Sequence, residues 1–426
     1  MVNKDNNRKT AMIVSTGGYA VNYGNIDVSS PKGESCFYYS YTNVPNNPGV
    51  WVQNVCLAGM AALEPNLERP GEMQFASHAT LINRGIIDIH FNEIYRFYMD
   101  KKAKTDTPDD FRFDTVRCFA MLAGDDSLLI NEGTINVYLD QDIEAIVSLY
   151  ACAIWGNARS LMINRGHVNF IGNGSYQSFV RGIGSMASDL KAINEGTVTV
   201  KLDRAYQTRI LHTAGKGGTL LNRGNISVDT CGRIMVIGSL MGTRMENDGE
   251  IDVTSHAVSI KNIVPYHYQF DPLATAFYEH FLPNDEQTAP TVNRGSIKVH
   301  LAGADLSGKN AAAFGFYLMQ IGASDQETPV HMLINEGTVE VTQEGPEHYL
   351  TAEVGVNIQS PGDNAFNIKI GQWNTNKRDF ASTKDLFVCR SAVFDLTDLS
   401  EGIDRDSCVY QLPLSKEANE TVKIRK

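Results

Sequence analysis

The chain has 426 residues, 42% apolar and 20% charged, with 36 glycines, 14 prolines and a formal net charge of −12. This composition supplies enough apolar residue for a large core, so it excludes an intrinsically disordered chain. The acidic balance argues against the broad basic footprint of a nucleic-acid binder, and no apolar run is long enough to span a bilayer as a helix.

The opening stretch through Lys9 is polar and lacks the apolar segment of a signal peptide. It suits either a cytosolic chain or a mature segment with an added start residue, and residues 1–20 read as a lead-in or cap. From Val21 onward one pattern returns, Asn-x-Gly-x-(Ile/Val)-x-(Val/Ile/Phe). It begins at Asn22, Asn83, Asn131, Asn164, Asn194, Asn222, Asn247, Asn293 and Asn335, with spacings of 61, 48, 33, 30, 28, 25, 46 and 42 residues. Glycine permits a corner, through positive φ or close chain approach. The alternation that follows marks a strand with one face buried. Asparagines stacked in register can hydrogen-bond into an amide ladder. Repeats this long are not hairpins. They predict a single all-β parallel solenoid, a β-helix of about nine or more three-stranded coils over residues 21–375. Segments such as FAMLAG, ILHTAG, IMVIGS and FYLMQIG supply the other strands.

The residue after each asparagine tests this reading independently. From the second copy it runs Arg84, Glu132, Arg165, Glu195, Arg223, Asp248, Arg294, Glu336. Strict alternation gives an attractive ladder between coils about 4.8 Å apart, where like charges would repel.

Relative to the shortest coil, those entering Asn83, Asn131, Asn293 and Asn335 carry 36, 23, 21 and 17 extra residues. Long loops near both ends thus flank bare central coils, and loops leaving on one side would wall a groove. The insert Phe37–Trp51 is aromatic and turn-rich. Glu93–Phe113 carries the cations Arg96, Lys101, Lys102 and Lys104. Val264–Gln287 holds Tyr266, His267 and Tyr268, and its Asp271-Pro272 predicts a short helix to about Leu282. Aromatics beside cations can stack on sugar rings and pair with acidic groups, so Arg96, Lys101, Lys102, Tyr266, His267 and Tyr268 are the candidate glycan-binding residues. The alternative for these inserts is that the aromatics pin each loop to the solenoid wall. Residues 376–426 read as final coils, a C-terminal cap and a polar tail.

Catalytic and metal signatures are missing. Gly124-Asp125-Asp126 is similar to the paired aspartates of polygalacturonase-type glycosidases, but the accompanying motifs of that family are absent and a turn is the better reading. Asp88, Asp229 and Asp252 fall on outward strand positions read as non-adjacent coils, which does not favour a shared calcium site. His90, His167 and His300 fall on outward positions of separate coils, and His212 and His256 lie elsewhere. Seven cysteines without a Cys-x-x-Cys pair offer neither a zinc site nor a full disulfide framework, and Cys56, Cys118 and Cys152 read as buried thiols. No catalytic residue, metal or cofactor is expected.

From Val21 to Val341 the repeat resembles the passenger domains of Gram-negative autotransporters, particularly adhesin-type passengers, although seven cysteines is many for such a passenger. The resemblance implies a right-handed β-helix displayed at the bacterial surface or secreted, with no translocator barrel in this chain. It implies host glycans or extracellular-matrix proteins as partners, or self-association. The Gly-Asp-Ser-Gly of protease passengers is absent, which favours adhesion. Host glycans, acidic glycosaminoglycans among them, or matrix proteins are the expected ligands, a polysaccharide lyase or glycosidase is the second reading, and a self-associating surface protein is the third.

Overall fold

In the computed structural model each Asn-x-Gly copy closes one short strand and opens the next. The structure describes residues 8–29, 39–41, 51–65, 67, 73–91, 115–139, 148–239, 243–256, 273–281, 291–303, 311–321, 333–344, 350–359, 365–371, 390–395 and 409–411. Among these, strands are the regular structure and no helix occurs.

The strands sort into three ladders. A short ladder of nine strands runs from Tyr19–Asn22 to Leu333–Asn335, all parallel, with each repeat asparagine opposite the next. An alternating ladder follows each glycine. It takes in Asn25–Ser29, Ile86–Phe91 and Thr134–Leu139, and continues to Thr338–Gln343. A long ladder carries the third segment of each repeat, including Thr115–Ala123, Ser148–Gly156, Arg233–Ser239, Leu273–Phe281 and Ala312–Ile321. In the middle of the chain, His167–Ser185 and Thr197–Thr213 run through from the alternating into the long ladder without a break.

One apolar cluster draws on all three ladders: Leu81 and Leu129 from the short, Ile87, Ile89 and Val137 from the alternating, Met60, Met121 and Ile237 from the long. Each such side chain contributes about 1.5–3 kcal/mol on burial. Period-two burial fixes register, because a one-residue slip would turn Ile87 and Ile89 outward.

The asparagine corner is polar and, from Asn22 to Asn293, buried. Asn22, Asn83, Asn131, Asn164, Asn194, Asn222, Asn247, Asn293 and Asn335 form an unbroken amide ladder, each Nδ2 donating to the next Oδ1 at 2.8 Å. The glycine is demanded by close approach: a Cβ at Gly166 would lie 1.9 Å from the Gly133 carbonyl oxygen, and neither residue has positive φ. Gly24, in the first copy, would have nothing within 4 Å.

Along the surface beside it the charged side chains interleave as expected. Arg84–Glu132 (2.8 Å), Glu132–Arg165 (3.6 Å), Arg165–Glu195 (2.9 Å), Glu195–Arg223 (3.5 Å), Arg223–Asp248 (3.9 Å), Asp248–Arg294 (2.9 Å) and Arg294–Glu336 (3.4 Å) form one continuous chain of ion pairs. Hydrogen bonding from Arg84 holds the Glu132 carboxyl below its usual range.

The helix expected from Asp271-Pro272 is not formed: Leu273–Phe281 is a strand, held in parallel between Arg233–Ser239 and Ala312–Ile321. The N-cap signal is local, whereas two neighbouring strands and the burial of Ala274, Ala276 and Phe277 act on the whole segment. Parallel pairing ends with Leu350–Gln359. Ala365–Gly371 pairs antiparallel with it, Arg390–Asp395 with that, and Val409–Gln411 with that, so an antiparallel strand covers the edge of the last long strand.

The inserts break the chain where the long ladder is entered (residues 92–114, 140–147, 257–272, 304–310, 345–349) or left (282–290, 322–332), and never at the asparagine corner.

Candidate functional site: a cationic island on the long ladder

Parallel stacking converts sequence into columns. Three columns lie on the face of the long ladder that carries a second, smaller apolar cluster: Ala58, Ala61, Leu63, Phe119, Leu122 and Cys152, with Trp155 against it. One column runs Ala58, Phe119, Cys152, Arg181, Arg209, Met235, Thr275, Phe314. A second runs Tyr150, Phe179, Gln207, Arg233, Leu273. A third holds Gly184, His212, Gly238, Tyr278 and Tyr317. The face is thus apolar at its start and aromatic further on, with a cationic island in the bare central repeats.

Arg181, Arg209 and Arg233 are 5%, 6% and 5% exposed, and no Asp or Glu occupies these column positions. Arg181 and Arg209 are register partners, so two like charges sit side by side, opposite to the interleaving at the asparagine corner. Arg181 donates through Nη2 to Gln207 Oε1 at 2.5 Å and lies 5.8 and 5.4 Å from the ring centres of Tyr150 and Phe179. Arg233 donates to the Tyr206 hydroxyl at 2.9 Å and lies 5.2 Å from its ring centre. Arg209 rests 6.0 Å from the ring centre of Tyr278, and its buried Nε meets no hydrogen-bond partner. Glu279, beside Tyr278, accepts from Thr291 Oγ1 at 3.2 Å. Tyr150 and Phe179 stack at 4.5 Å at the border of the island, where Tyr150, Phe179 and Trp155 stay half-buried.

His212 is fully buried, and neither ring nitrogen has a partner in hydrogen-bonding geometry. Burial pushes its pKa well below the usual range, helped by the charges of Arg181 and Arg209 and opposed weakly by the Ile183 backbone. The ring is therefore a neutral imidazole with one donor and one acceptor. It leans toward Gly184, where a Cβ would lie 2.9 Å from His212 Nδ1. At Gly238 nothing lies within 3.8 Å of a Cβ. Burying an arginine Nε and both nitrogens of a neutral imidazole without hydrogen-bond partners costs free energy, since their desolvation goes uncompensated. The arrangement offers N–H donors and one nitrogen acceptor, bordered by rings, and suits an anionic ligand that also carries a hydroxyl.

The six candidate glycan-binding residues, Arg96, Lys101, Lys102, Tyr266, His267 and Tyr268, lie outside the described residues. The island was not singled out in the sequence. Its signal is an arginine entering an apolar run three times in succession, in FVRGIG, QTRILH and CGRIMVIG. Asp125 and Asp126 occupy a turn: Asp126 has φ 54°, and Arg159 grips its two carboxylate oxygens at 2.7 Å each. His78, Asp126, Arg159 and Asp189 share that left-handed conformation at the same corner of successive repeats, joined by backbone bonds such as Asp126 N to Ala158 O at 2.9 Å. Asp229 and Asp252 are on adjacent strands after all, because Asn225–Cys231 pairs directly with Glu250–His256; they stand two register positions apart. Asp229 instead meets His256 at 2.7 Å, and Asp88 accepts from Asn136. Among the described residues no three His, Cys, Asp or Glu side chains converge as a metal site. His90 stacks on Tyr138, and His167 and His300 bond Thr197 and Thr342. Cys118, Cys152 and Cys231 are buried, and burial drives the Cys152 pKa upward; the Cys56 side chain lies outside the described residues.

Among the described residues no helix is long and apolar enough to cross a membrane. The chain matches no protein-family model, no curated protein and no solved structure.

Proposed function

We propose that this chain is a bacterial surface adhesin, the passenger of a Gram-negative autotransporter, folded as a closed right-handed β-helix that binds acidic host glycans along its long ladder. The observation that carries the reading is the island: Arg181, Arg209 and Arg233 are buried on successive strands, and Arg209 Nε meets no hydrogen-bond partner among the described residues. A buried cation left without a counter-charge is costly, and an anionic ligand supplies the missing charge. The bordering Tyr150, Phe179 and Trp155 provide faces for sugar rings. The inserts where the ladder is entered and left, with Arg96, Lys101, Lys102, Tyr266, His267 and Tyr268, extend the contact in this reading. The ligands are glycosaminoglycan-like chains or matrix proteins that bear them.

One observation favours a second reading, cleavage of an acidic polysaccharide. A neutral His212 beside Arg209 combines a base with a cation able to neutralise a sugar carboxylate. A glycan array on the purified chain, followed by incubation of any hit and analysis of its length, separates the two. Binding to acidic glycans without shortening supports the adhesin, and release of unsaturated or newly reducing ends moves the case to a lyase or glycosidase. An array on which acidic glycans give no signal overturns both and leaves self-association or a protein partner.

A further inference from the structure

The short ladder carries an outer face that glycan binding on the long ladder does not use. In its four-residue strands the second and fourth side chains point inward, as Leu81 and Asn83 do, and the first and third point out. At the third position six successive repeats hold an aliphatic residue: Val21, Ile82, Ile130, Ile163, Ile193 and Leu221, each the register partner of the next. Val21, Ile82, Ile130 and Ile193 are half-buried, while Ile163 and Leu221 keep 9% and 8% exposure. The stripe is interrupted at Glu246, which Arg244 and Arg294 hold. Exposed charges rim it on both sides, the row from Arg84 to Glu336 at the asparagine corner and Asp126, Arg159 and Asp189 at the opposite corner. An apolar stripe between charged rims is the pattern of a surface that meets another surface.

The signs on the rims select the partner. Each strand is preceded and followed by charges of one sign: Asp126 and Glu132, Arg159 and Arg165, Asp189 and Glu195. Two copies laid face to face with their coils running the same way would set one rim against the other, like charge opposite like in all three repeats. With the coils running opposite ways, the asparagine-corner rim meets itself in reverse. Its eight alternating charges begin with Arg84 and end with Glu336, so reversal inverts every sign. A two-fold axis crossing between the Glu195 and Arg223 repeats pairs Arg84 with Glu336, Glu132 with Arg294, Arg165 with Asp248 and Glu195 with Arg223 of the second copy, all opposite in sign. Beside that axis Ile193 meets Leu221. We propose that the outer face of the short ladder is an antiparallel dimer interface with a second copy of this chain, in this register. Seven strand spacings of about 4.8 Å and four residues of about 3.3 Å give roughly 34 by 13 Å, near 450 Å² on each copy before the rims are counted. That is the scale of a weak, reversible contact.

The inference does not depend on the glycan reading, because the island lies on the long ladder. The full chain is sedimented across a concentration range that brackets the micromolar association such an area supports. The expected result is a reversible monomer–dimer equilibrium. Arg223→Glu sets two like-charged pairs across the axis and should weaken the dimer at least about tenfold. Glu195→Arg combined with Arg223→Glu exchanges the two signs and restores attraction across this axis only, so it should return to within about threefold of the wild type. Ile193→Asp, which buries a carboxylate against the stripe of the second copy, is an independent route to the loss. Thr199→Asp, on the outer side of the alternating ladder, should leave the equilibrium unchanged. Each variant is accepted only if its thermal transition stays cooperative, and the exposed charge variants carry the test should Ile193→Asp fail to fold. A wild-type chain that stays monomeric throughout overturns the proposal. So does a dimer indifferent to both Arg223→Glu and Ile193→Asp. A dimer that Arg223→Glu weakens and the exchanged pair does not restore overturns the antiparallel register.

Discussion

Arg209→Met tests the central claim, because it predicts that a protein gains stability while losing function. Arg209 has Arg181 as its register partner on one side and Met235 on the other, so methionine repeats a side chain that the next strand already accommodates. The residue is 6% exposed, with a like charge beside it and no hydrogen-bond partner at Nε among the described residues. Replacing buried ionic groups with apolar side chains of similar volume stabilises proteins by about 1–4 kcal/mol. Loss of the contact with the Tyr278 ring, 6.0 Å away, takes back about 1 kcal/mol. The net expectation is a gain of about 0–3 kcal/mol, read as a higher urea midpoint at unchanged slope. The same variant should bind acidic glycans at least about tenfold more weakly, as expected for a lost charged contact. Destabilisation by more than about 1 kcal/mol with glycan affinity intact would refute the reasoning, since Arg209 would then be a structural cation whose charge the folded chain already compensates.

Asn194→Ala should cost about 3–5 kcal/mol, because it breaks two ladder bonds and leaves buried amide atoms of Asn164 and Asn222 short of partners; Asn22→Ala, at the end of the ladder, should cost less than half as much by the same denaturation assay. Gly166→Ala should abolish soluble expression or lower the melting temperature strongly, since its Cβ would sit 1.9 Å from a carbonyl oxygen, whereas Gly24→Ala should be silent. His212 has a depressed folded pKa, so below about 6.5 the unfolded chain takes up a proton that the folded chain does not. Stability should therefore fall as pH drops from about 6.5 toward that lower value, and His212→Phe should flatten this part of the stability profile; an identical slope in wild type and variant would count against a neutral buried ring.

The parallel stacking was legible because its signals repeat: the asparagine and the glycine appear at every corner and the alternating charge from the second corner onward, and each proved to be a ladder. The island was harder to see. Outward and inward positions alternate simply in Thr197–Lys201, but in the long ladder Ile210 and Leu211 both join the core and the period of two is lost. A register shift between Ser175 and Phe179 further hides which residues face together. Arginine also reads by default as an exposed residue. At Asp271-Pro272 the local capping signal predicts a helix, but the neighbouring strands determine Leu273–Phe281. Asp229 and Asp252 were misjudged more simply: their repeats are consecutive, and their carboxylates stay apart through register alone.

The alternating ion pairs of the asparagine corner also constrain how such a chain changes length. Excising one whole repeat, for instance the one bearing Glu195, would bring Arg165 against Arg223 and break the sign sequence at the new junction. Duplicating a single repeat creates the same clash. Removing or copying two adjacent repeats preserves the order everywhere, as joining Arg165 to Asp248 would. Growth and shrinkage by recombination are therefore tolerated best in even steps, and the ladder acts as a parity check on the number of repeats.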